Sequence, residues 1–337
     1  MGPGIVVLRP APVKDFRLRE LHCPASDRPP TAADQAVVLS GPADRLLDEN
    51  GLVSSIGSHT IAMVHGTLDR PYLLHVPPTP TPDRMPLILE LHGRGIGAEP
   101  FDRLTGFRRL ADEAGFALAL PSGVNEVWND RRSPAAARVD DVGYLAAVID
   151  DVAGRVPIDG RRIYVVGMSN GAAMAGRLAC ELTDRIAAVV QVAGTAAVDV
   201  VAACQPGRPL PILQIHGSAD RYARYDGRAP RGLITRAVIR RRVGRSLGVD
   251  AWAQFWVQAN GAANGPVVES IWPDTTVRRW HGATPASDVV FYRIEGGGHT
   301  WPGSDFHLPR LLFGRTSQTF SATRVSWAFL AAHSRPD

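Results

Sequence analysis

From about residue 86 to the C-terminus, apolar runs alternate with segments whose apolar residues recur at helical spacing. Several of the runs are almost continuously apolar, which is typical of strands buried on both faces of a parallel sheet. This repeated strand–helix order predicts an α/β fold, with a mostly parallel central sheet and helices on both faces. The predicted strands cover residues 86–92, 116–120, 162–166, 186–192, 212–215 and 289–294, and the predicted helices cover residues 102–114, 141–156, 172–182 and 321–332.

The segment before this alternation has a different pattern. Residues 60–64 and 72–76 are apolar runs on either side of a short polar stretch, which predicts a leading antiparallel hairpin. Residues 1–55 show no sustained period, so we treat them as an N-terminal extension without a predicted structure. Residues 56–337 then form one α/β domain, with a helical insertion at about residues 221–288.

Composition excludes several classes of function. The chain of 337 residues carries 37 basic and 33 acidic side chains, a surplus too small to indicate nucleic-acid binding. No uncharged apolar run approaches the roughly 18 residues that a membrane span needs. Cys23, Cys180 and Cys204 are too few and too far apart for a disulfide scaffold or a zinc site, so we expect no bound metal.

The N-terminal residues do not have the pattern of a secretion signal. The short apolar run at residues 5–8 has no positive charge before it, and Arg9 and Lys14 follow soon after. On this pattern alone, a cytoplasmic location is open as well as an exported one.

The sharpest local signal is Gly-Met-Ser-Asn-Gly at residues 167–171, between a predicted strand and a predicted helix. In such a G-x-S-x-G elbow the serine lies on a strained turn, and a Cβ atom at either glycine would collide with neighbouring backbone. The start of the helix supplies amide donors and the positive end of the helix dipole. The context therefore predicts that Ser169 is a nucleophile; the alternative is an inert serine in a glycine-bracketed turn.

A nucleophilic serine needs a base, and the base needs an acid that orients it. In α/β-hydrolases the acid and then the histidine follow the serine along the chain, each at the carboxyl end of a strand. Asp220 lies in the tight turn after the strand at 212–215, and His299 lies in a glycine-rich loop after the last strand. We therefore predict a triad of Ser169, Asp220 and His299, with His216 packed at a strand end rather than acting as the base.

Attack of a serine on a carbonyl carbon produces a tetrahedral oxyanion, which needs two preorganised hydrogen-bond donors. The first predicted donor is the backbone N–H of Asn170, directly after the nucleophile. The second is the backbone N–H of Arg94, in the loop after the strand at 86–92. Because an amide donor needs no particular side chain, we interpret the Arg94 side chain as a solvated surface charge.

Six motifs follow one another in a specific order along the chain. They are Leu-His-Gly at 91–93, Trp-Asn-Asp at 128–130, Asp-Asp-Val-Gly-Tyr-Leu at 140–145, Gly-Met-Ser-Asn-Gly at 167–171, Ile-His-Gly-Ser-Ala-Asp at 215–220 and Gly-His-Thr-Trp-Pro-Gly at 298–303. As a set, over roughly residues 58–332, they resemble the esterase/polyhydroxybutyrate depolymerase family, which also holds feruloyl and acetylxylan esterases. The resemblance implies an α/β-hydrolase fold, serine-ester hydrolysis without a cofactor, the triad Ser169, Asp220 and His299, and a secreted or periplasmic location.

The resemblance leaves two substrate classes open. One is short-chain hydroxyalkanoate esters, as in polyhydroxybutyrate oligomers or polyesters, and the other is the feruloyl or acetyl esters of plant cell walls. A catalytically inactive binding protein on the same fold is a further alternative. It is disfavoured because all three members of the triad are present.

Three residues near the predicted triad are candidates for substrate binding. Trp128 and Asn129 lie in the loop after the strand at 116–120, and Trp301 lies two residues after His299, the predicted base. An aromatic side chain at such a position would form the floor of an acyl pocket, although tryptophans as often pack in a core.

The insertion and the cysteines each leave two alternatives. Trp252, Phe255 and Trp256 recur at helical spacing, so their helix either covers the cleft as a lid or buries these rings against the main core. Cys180 and Cys204 are expected on neighbouring elements, either joined in a disulfide or free.

Overall fold

The computed structural model describes residues 37–39, 56–78, 84–132, 137–228, 245–306 and 308–336. The chain divides into two units, Met1–Gln35 and Ala36–Asp337, and the described residues all belong to the second. The predicted N-terminal extension thus lies outside the described residues, apart from a short strand at Val37–Leu39.

The strands and helices alternate along most of the described chain. The strands are β1 (Val37–Leu39), β2 (Gly57–Ile61), β3 (Val64–His65), β4 (Leu68–Asp69), β5 (Tyr72–Val76), β6 (Met85–Leu91), β7 (Ala117–Pro121), β8 (Ile158–Met168), β9 (Ala188–Val192), β10 (Ile212–Gly217), β11 (Asn264–Trp272), β12 (Thr275–His281) and β13 (Val289–Ile294). The helices are α1 (Ala98–Thr105), α2 (Phe107–Ala114), α3 (Asp141–Arg155), α4 (Asn170–Glu181), α5 (Val198–Ala203), α6 (Val249–Ala259), α7 (Arg310–Phe313) and α8 (Ala322–Ala331).

One sheet organises the described unit. Its strand order is β1-β2-β5-β7-β6-β8-β9-β10-β13-β12-β11, and the central pairs from β7 to β13 are parallel. The carboxyl ends of β6, β8, β10 and β13 therefore meet along one edge of the sheet, which we call the catalytic edge. The mostly parallel sheet confirms the predicted α/β-hydrolase class.

The core consists of two layers, one on each face of the sheet. Leu87 and Leu89 of β6 pack with residues of α3, α4 and α6 on one face. Ile88 of the same strand packs with residues of α1, α2 and α8 on the other face. Because successive side chains of a strand point to opposite faces, β6, which is apolar except for Glu90, contributes to both layers.

The structure refines the predicted hairpin and one predicted helix. β2 and β5 pair antiparallel as predicted, but the chain between them forms its own small hairpin from β3 and β4. The helix predicted at residues 102–114 is two helices, α1 and α2. They are separated at Gly106, which has a left-handed φ of 73° and whose N–H donates to the carbonyl of Asp102.

The prediction of a helical insertion is incomplete. Its described part contains α6, but also β11 and β12, which pair antiparallel with each other and extend the sheet beyond β13. Trp252 and Trp256 of α6 are fully buried in the core, and the Trp252 indole N–H donates to Gln191 of β9. The lid hypothesis for this helix is therefore wrong, and its aromatic side chains belong to the main core.

Cys180 and Cys204 form a disulfide, with their Cα atoms 5.1 Å apart. It joins the last turn of α4 to the residue that follows α5. Among the described helices, none is both long and apolar enough to cross a membrane.

Candidate active site

Ser169 lies at the tight turn between β8 and α4, with a left-handed φ of 58°. A Cβ atom on Gly167 would lie 2.4 Å from the carbonyl oxygen of Gly171, and one on Gly171 would lie 2.0 Å from that of Leu91. No side chain fits at such distances, so both glycines are required for the elbow to pack against β6. This confirms the predicted conformation of the turn.

The structure brings the three predicted triad residues together. His299 Nε2 lies 2.9 Å from Ser169 Oγ, and His299 Nδ1 lies 2.7 Å from Asp220 Oδ2. An ionised carboxylate only accepts hydrogen bonds, so Nδ1 carries the proton and Nε2 accepts from the serine hydroxyl. This tautomer leaves Nε2 free to take the serine proton.

Asp220 is held in place by its own turn. Its Oδ1 accepts hydrogen bonds from the backbone N–H groups of Tyr222, at 2.8 Å, and Ala223, at 2.9 Å. His216 is fully buried beside it, and its Nε2 lies 2.7 Å from the carbonyl oxygen of Ala223. Burial lowers the pKa of His216, so it remains neutral and supports the turn. Its buried position is that of a residue packed at a strand end.

His299 is positioned by the chain that follows it. Its backbone N–H donates to the carbonyl of Phe313, and the N–H of Gly298 donates to the carbonyl of Arg315. The ring of Tyr222 lies 5.1 Å from that of His299 and stacks on Phe313 at 5.4 Å. The sequence did not predict this aromatic stack, because its members come from two loops and the end of α7, which are separate in the chain.

The loop after β6 borders the nucleophile. A Cβ on Gly93 would lie 3.5 Å from Ser169 Cβ, so the next peptide group reaches the same site. In the described part of the chain, the Arg94 backbone N–H has no backbone acceptor. The Asn170 backbone N–H lies at the start of α4, where a helix leaves its amides unpaired.

His92 holds the loop after β6 in place through hydrogen bonds. Its Nε2 accepts a hydrogen bond from the N–H of Gly123, so Nδ1 carries the proton and donates to the carbonyl of Gly93. Burial, together with the charge of Arg70, lowers the pKa of His92 to about 4 and keeps the ring neutral. The indole N–H of Trp128 donates to the His92 carbonyl at 3.0 Å. These bonds preorganise the backbone next to Ser169.

A match to known proteins is consistent with this geometry. A family model described as "Esterase PHB depolymerase" matches residues 70–218. The protein named "Putative esterase NocK" from Nocardia uniformis subsp. tsuyamanensis is 34% identical over 272 residues, which cover 77% of this chain and 79% of that protein. The chain belongs to the esterase/polyhydroxybutyrate depolymerase family. It is a carboxylic ester hydrolase of the serine hydrolase type, as the sequence predicted.

Two further relatives of the esterase illustrate the range of the family and fold. Feruloyl esterase B from Piromyces equi is 26% identical over 220 residues, which cover 64% of this chain and 39% of that protein. The crystal structure of acetyl xylan esterase from Aspergillus awamori aligns with a TM-score of 0.53 at 12% identity, over 72% of this chain and 94% of that one. The structural likeness shows the shared fold.

The structure corrects the three residues predicted to bind substrate. Trp128 is fully buried against His92, and the Asn129 side chain donates to the carbonyl of Val139. Trp301 lies in the core, edge-on to Phe101 and Phe107. All three are thus packing or loop-fixing residues of the esterase, because none presents a free surface to a ligand.

Asn170 has a second role that the sequence did not reveal. Its side-chain amide donates to Asp130 Oδ2 at 2.6 Å and accepts from the Trp128 backbone N–H at 2.8 Å. The residue after the nucleophile therefore ties the elbow to the loop that follows β7. Among the described residues, no cluster of three or more His, Cys, Asp or Glu could hold a metal ion.

Proposed function

We propose that Ser169 is the nucleophile, His299 the general base and Asp220 the acid that orients it. The observation that carries this proposal is the unbroken chain of hydrogen bonds from Ser169 Oγ through both imidazole nitrogens to Asp220. The backbone N–H groups of Asn170 and Arg94 are the proposed oxyanion donors, because Asn170 directly follows the serine at the start of α4 and Arg94 follows Gly93, which borders the serine.

In the first half-reaction, Ser169 Oγ attacks the ester carbonyl while His299 Nε2 takes its proton. The negative charge that develops on the carbonyl oxygen is stabilised by the two amides, and the buried Asp220 stabilises the imidazolium. His299 then gives its proton to the leaving alkoxide, so that an alcohol departs and an acyl-enzyme remains. In the second half-reaction, water attacks the acyl-enzyme with His299 as the base, and the carboxylic acid is released from Ser169.

For the substrate we propose short-chain esters, above all hydroxyalkanoate oligomers or polyesters of the polyhydroxybutyrate type. The description of the matching family supports this substrate class. A second candidate is a feruloyl or acetyl ester of the plant cell wall. It is supported by relatives that are named feruloyl esterase and acetylxylan esterase.

A hydrolysis panel separates these candidates. The purified enzyme is assayed on 4-nitrophenyl esters of increasing acyl length, 3-hydroxybutyrate trimer, methyl ferulate and acetylated xylan, with Ser169→Ala as the blank. We expect activity on short 4-nitrophenyl esters and the highest kcat/KM among natural esters on the trimer. A higher kcat/KM on methyl ferulate or acetylated xylan would replace the first substrate with the second. Equal rates for wild type and Ser169→Ala would contradict the nucleophile assignment.

A further inference from the structure

Arg94 combines two properties at the proposed reaction centre. Its backbone follows Gly93, at which an added Cβ would lie 3.5 Å from Ser169 Cβ, and its side chain is exposed rather than buried in the sheet. The proposed oxyanion peptide thus carries a cationic side chain beside the elbow. The backbone N–H of Arg94 can stabilise an oxyanion whatever its side chain is. The positive charge of the guanidinium therefore needs a separate explanation.

The charges around Arg94 do not neutralise it. Asp130 and Arg132 are the charged groups that act on its guanidinium. Asp130 is already engaged by the Arg132 Nε, at 2.9 Å, and by the Asn170 side chain. Arg132 donates in addition to Ser246. Asp130 thus has its own partners, and the Arg94 guanidinium, which lies within electrostatic reach of this carboxylate and so near the residue that follows Ser169, keeps its positive charge without a bonded counter-charge.

The Arg94 side chain has no hydrogen-bond or ion-pair partner among the described residues. Partial desolvation lowers the pKa of Arg94, but a guanidinium keeps its proton at any ordinary pH. A partly desolvated cation with five N–H donors and no fixed acceptor is suited to a planar anionic group, which it can bind through two parallel hydrogen bonds.

We propose that the Arg94 guanidinium binds a free carboxylate of the ester substrate and so makes the enzyme selective for acidic esters. The inference rests on the proposed esterase function and sharpens its substrate class. A hydroxyacid oligomer has this chemistry, because every such chain ends in one carboxylate however many esters it contains. Methyl ferulate and acetylated sugars have no carboxylate of this kind, so they would gain nothing from Arg94.

The test compares acidic substrates with neutral ones of the same length. The natural pair is 3-hydroxybutyrate trimer as the free acid and as its N-methylamide, followed by chromatography of the products. The chromogenic pair is mono(4-nitrophenyl) adipate and 4-nitrophenyl hexanoate. Each pair is assayed with wild type, Arg94→Gln and Arg94→Lys at low and high salt. The readout is the ratio of kcat/KM for the acidic member to that for the neutral member.

Arg103→Gln is the matched control. Arg103 is an exposed arginine of α1, outside the proposed site, so its removal changes net charge by the same amount. We expect Arg94→Gln to lower the ratio about tenfold, the size typical of a lost charge-assisted hydrogen bond. Arg94→Lys should retain part of the preference, high salt should weaken it in the wild type, and Arg103→Gln should leave it in place.

An unchanged ratio in Arg94→Gln, or an equal fall in Arg103→Gln, would overturn the inference. A failure of the hydroxyalkanoate assignment would give a different result from a failure of the Arg94 proposal. If the trimers are not hydrolysed but the chromogenic pair still shows an Arg94-dependent ratio, the carboxylate site stands and the hydroxyalkanoate assignment falls. If the wild type hydrolyses both members of each pair with equal kcat/KM, the esterase function stands and the role of Arg94 falls.

Discussion

Among the described residues, two sets of serine, histidine and aspartate side chains lie in hydrogen-bonded rows, and they differ in what surrounds them. The elbow triad is Ser169, His299 and Asp220. The strand triad is Ser58, His75 and Asp112, in which Ser58 Oγ lies 3.0 Å from His75 Nδ1 and His75 Nε2 lies 2.7 Å from Asp112 Oδ1. Judged by hydrogen-bond distances alone, the two rows are nearly equivalent.

Their backbones are not equivalent. Ser58 and His75 are paired residues on β2 and β5, in regular extended structure with no helix start behind the serine. Ser169 instead has a left-handed φ, precedes α4 and faces the loop that carries Arg94. The Asp112 side chain is 42% exposed, whereas that of Asp220 is fully buried. A triad therefore needs a strained elbow, oxyanion donors and a desolvated acid, as well as three side chains in a row.

Strain is concentrated around the elbow triad. Among the described residues, the non-glycine residues with positive φ are Asn125, Glu126, Arg131, Ser169 and Ala193. They lie in the elbow itself or in loops that follow β7 and β9, at the catalytic edge. Backbone strain of this kind persists only where the surrounding structure holds it, and it is common at reaction centres.

The largest predicted effect separates the two serines. Ser169→Ala should lower kcat on 4-nitrophenyl butyrate by a factor on the order of 10^4 or more, because no other group can form the acyl-enzyme. Ser58→Ala, the matched control, removes a hydroxyl that also bonds a histidine and should leave kcat close to that of the wild type. Comparable losses in both variants would mean that the elbow does not define the nucleophile. Thermal unfolding of each variant checks that the fold is retained.

The second prediction compares the two acids. Asp220→Asn keeps the shape of the side chain but favours the wrong imidazole tautomer at His299, and should lower kcat by up to about 10^4. Asp112→Asn should have little effect on kcat. Equal values of kcat in Asp220→Asn and Asp112→Asn would contradict the assignment of Asp220 as the orienting acid.

The elbow triad could be predicted from the sequence because its parts are local. Each member follows a recognisable strand, and the carboxyl ends of parallel strands meet at one edge of the sheet. The glycines at 167 and 171 and the order Ser169, Asp220, His299 were enough to predict the contacts. The family resemblance agreed with this interpretation, and the matches to known proteins show that the chain belongs to that family.

What the sequence did not predict depends on contacts between distant segments. Trp301 was expected at the substrate, but it packs in the core on the α1 and α2 side of the sheet. β11 was missed because it is exposed along almost its whole length, so no alternation of apolar and polar residues marks it as a strand. The unpaired charge of Arg94 became visible only when Asp130 was found to be engaged by Arg132 and Asn170.

The third prediction is that the disulfide at the end of α4 affects the free energy of unfolding but not the reaction at the elbow triad. α4 begins beside Ser169 and ends at the Cys180–Cys204 disulfide, which spans a sequence separation of 24 residues. Replacing both cysteines by alanine should lower the free energy of unfolding by about 3 kcal/mol, because the unfolded chain loses its cross-link. The value of kcat at 25 °C should stay close to that of the wild type. Unchanged stability in urea titrations, with or without dithiothreitol, would contradict this role.

The smallest predicted effect concerns the ion pair of Arg315 and Asp274, which supports the loop of His299 and has no counterpart in the strand triad. His75 is fixed by the pairing of β2 with β5, whereas His299 lies in a loop that bonds to the chain around Arg315. Arg315 in turn donates to Asp274, in the turn between β11 and β12, at 2.7 Å. Burial alone would raise the pKa of Asp274, but hydrogen bonds from Arg315, Thr319, Ser317 and Thr275 together lower it to about 2.

Because this pKa is lower in the folded state than in the unfolded chain, Asp274 stabilises the fold above its ordinary pKa, and the stabilisation is lost as pH falls towards 2. Asp274→Asn should therefore lower stability at pH 7 by on the order of 1 kcal/mol, since the pair is partly screened by solvent. The difference from the wild type should shrink between about pH 4 and pH 2. Asp159→Asn, which breaks the partly buried pair with Arg162, is the control. Both variants should lose some stability. Only Asp274→Asn should also lower kcat, because only the pair of Asp274 with Arg315 supports the loop of His299. An equal kcat in the two variants would show that this loop does not depend on the ion pair.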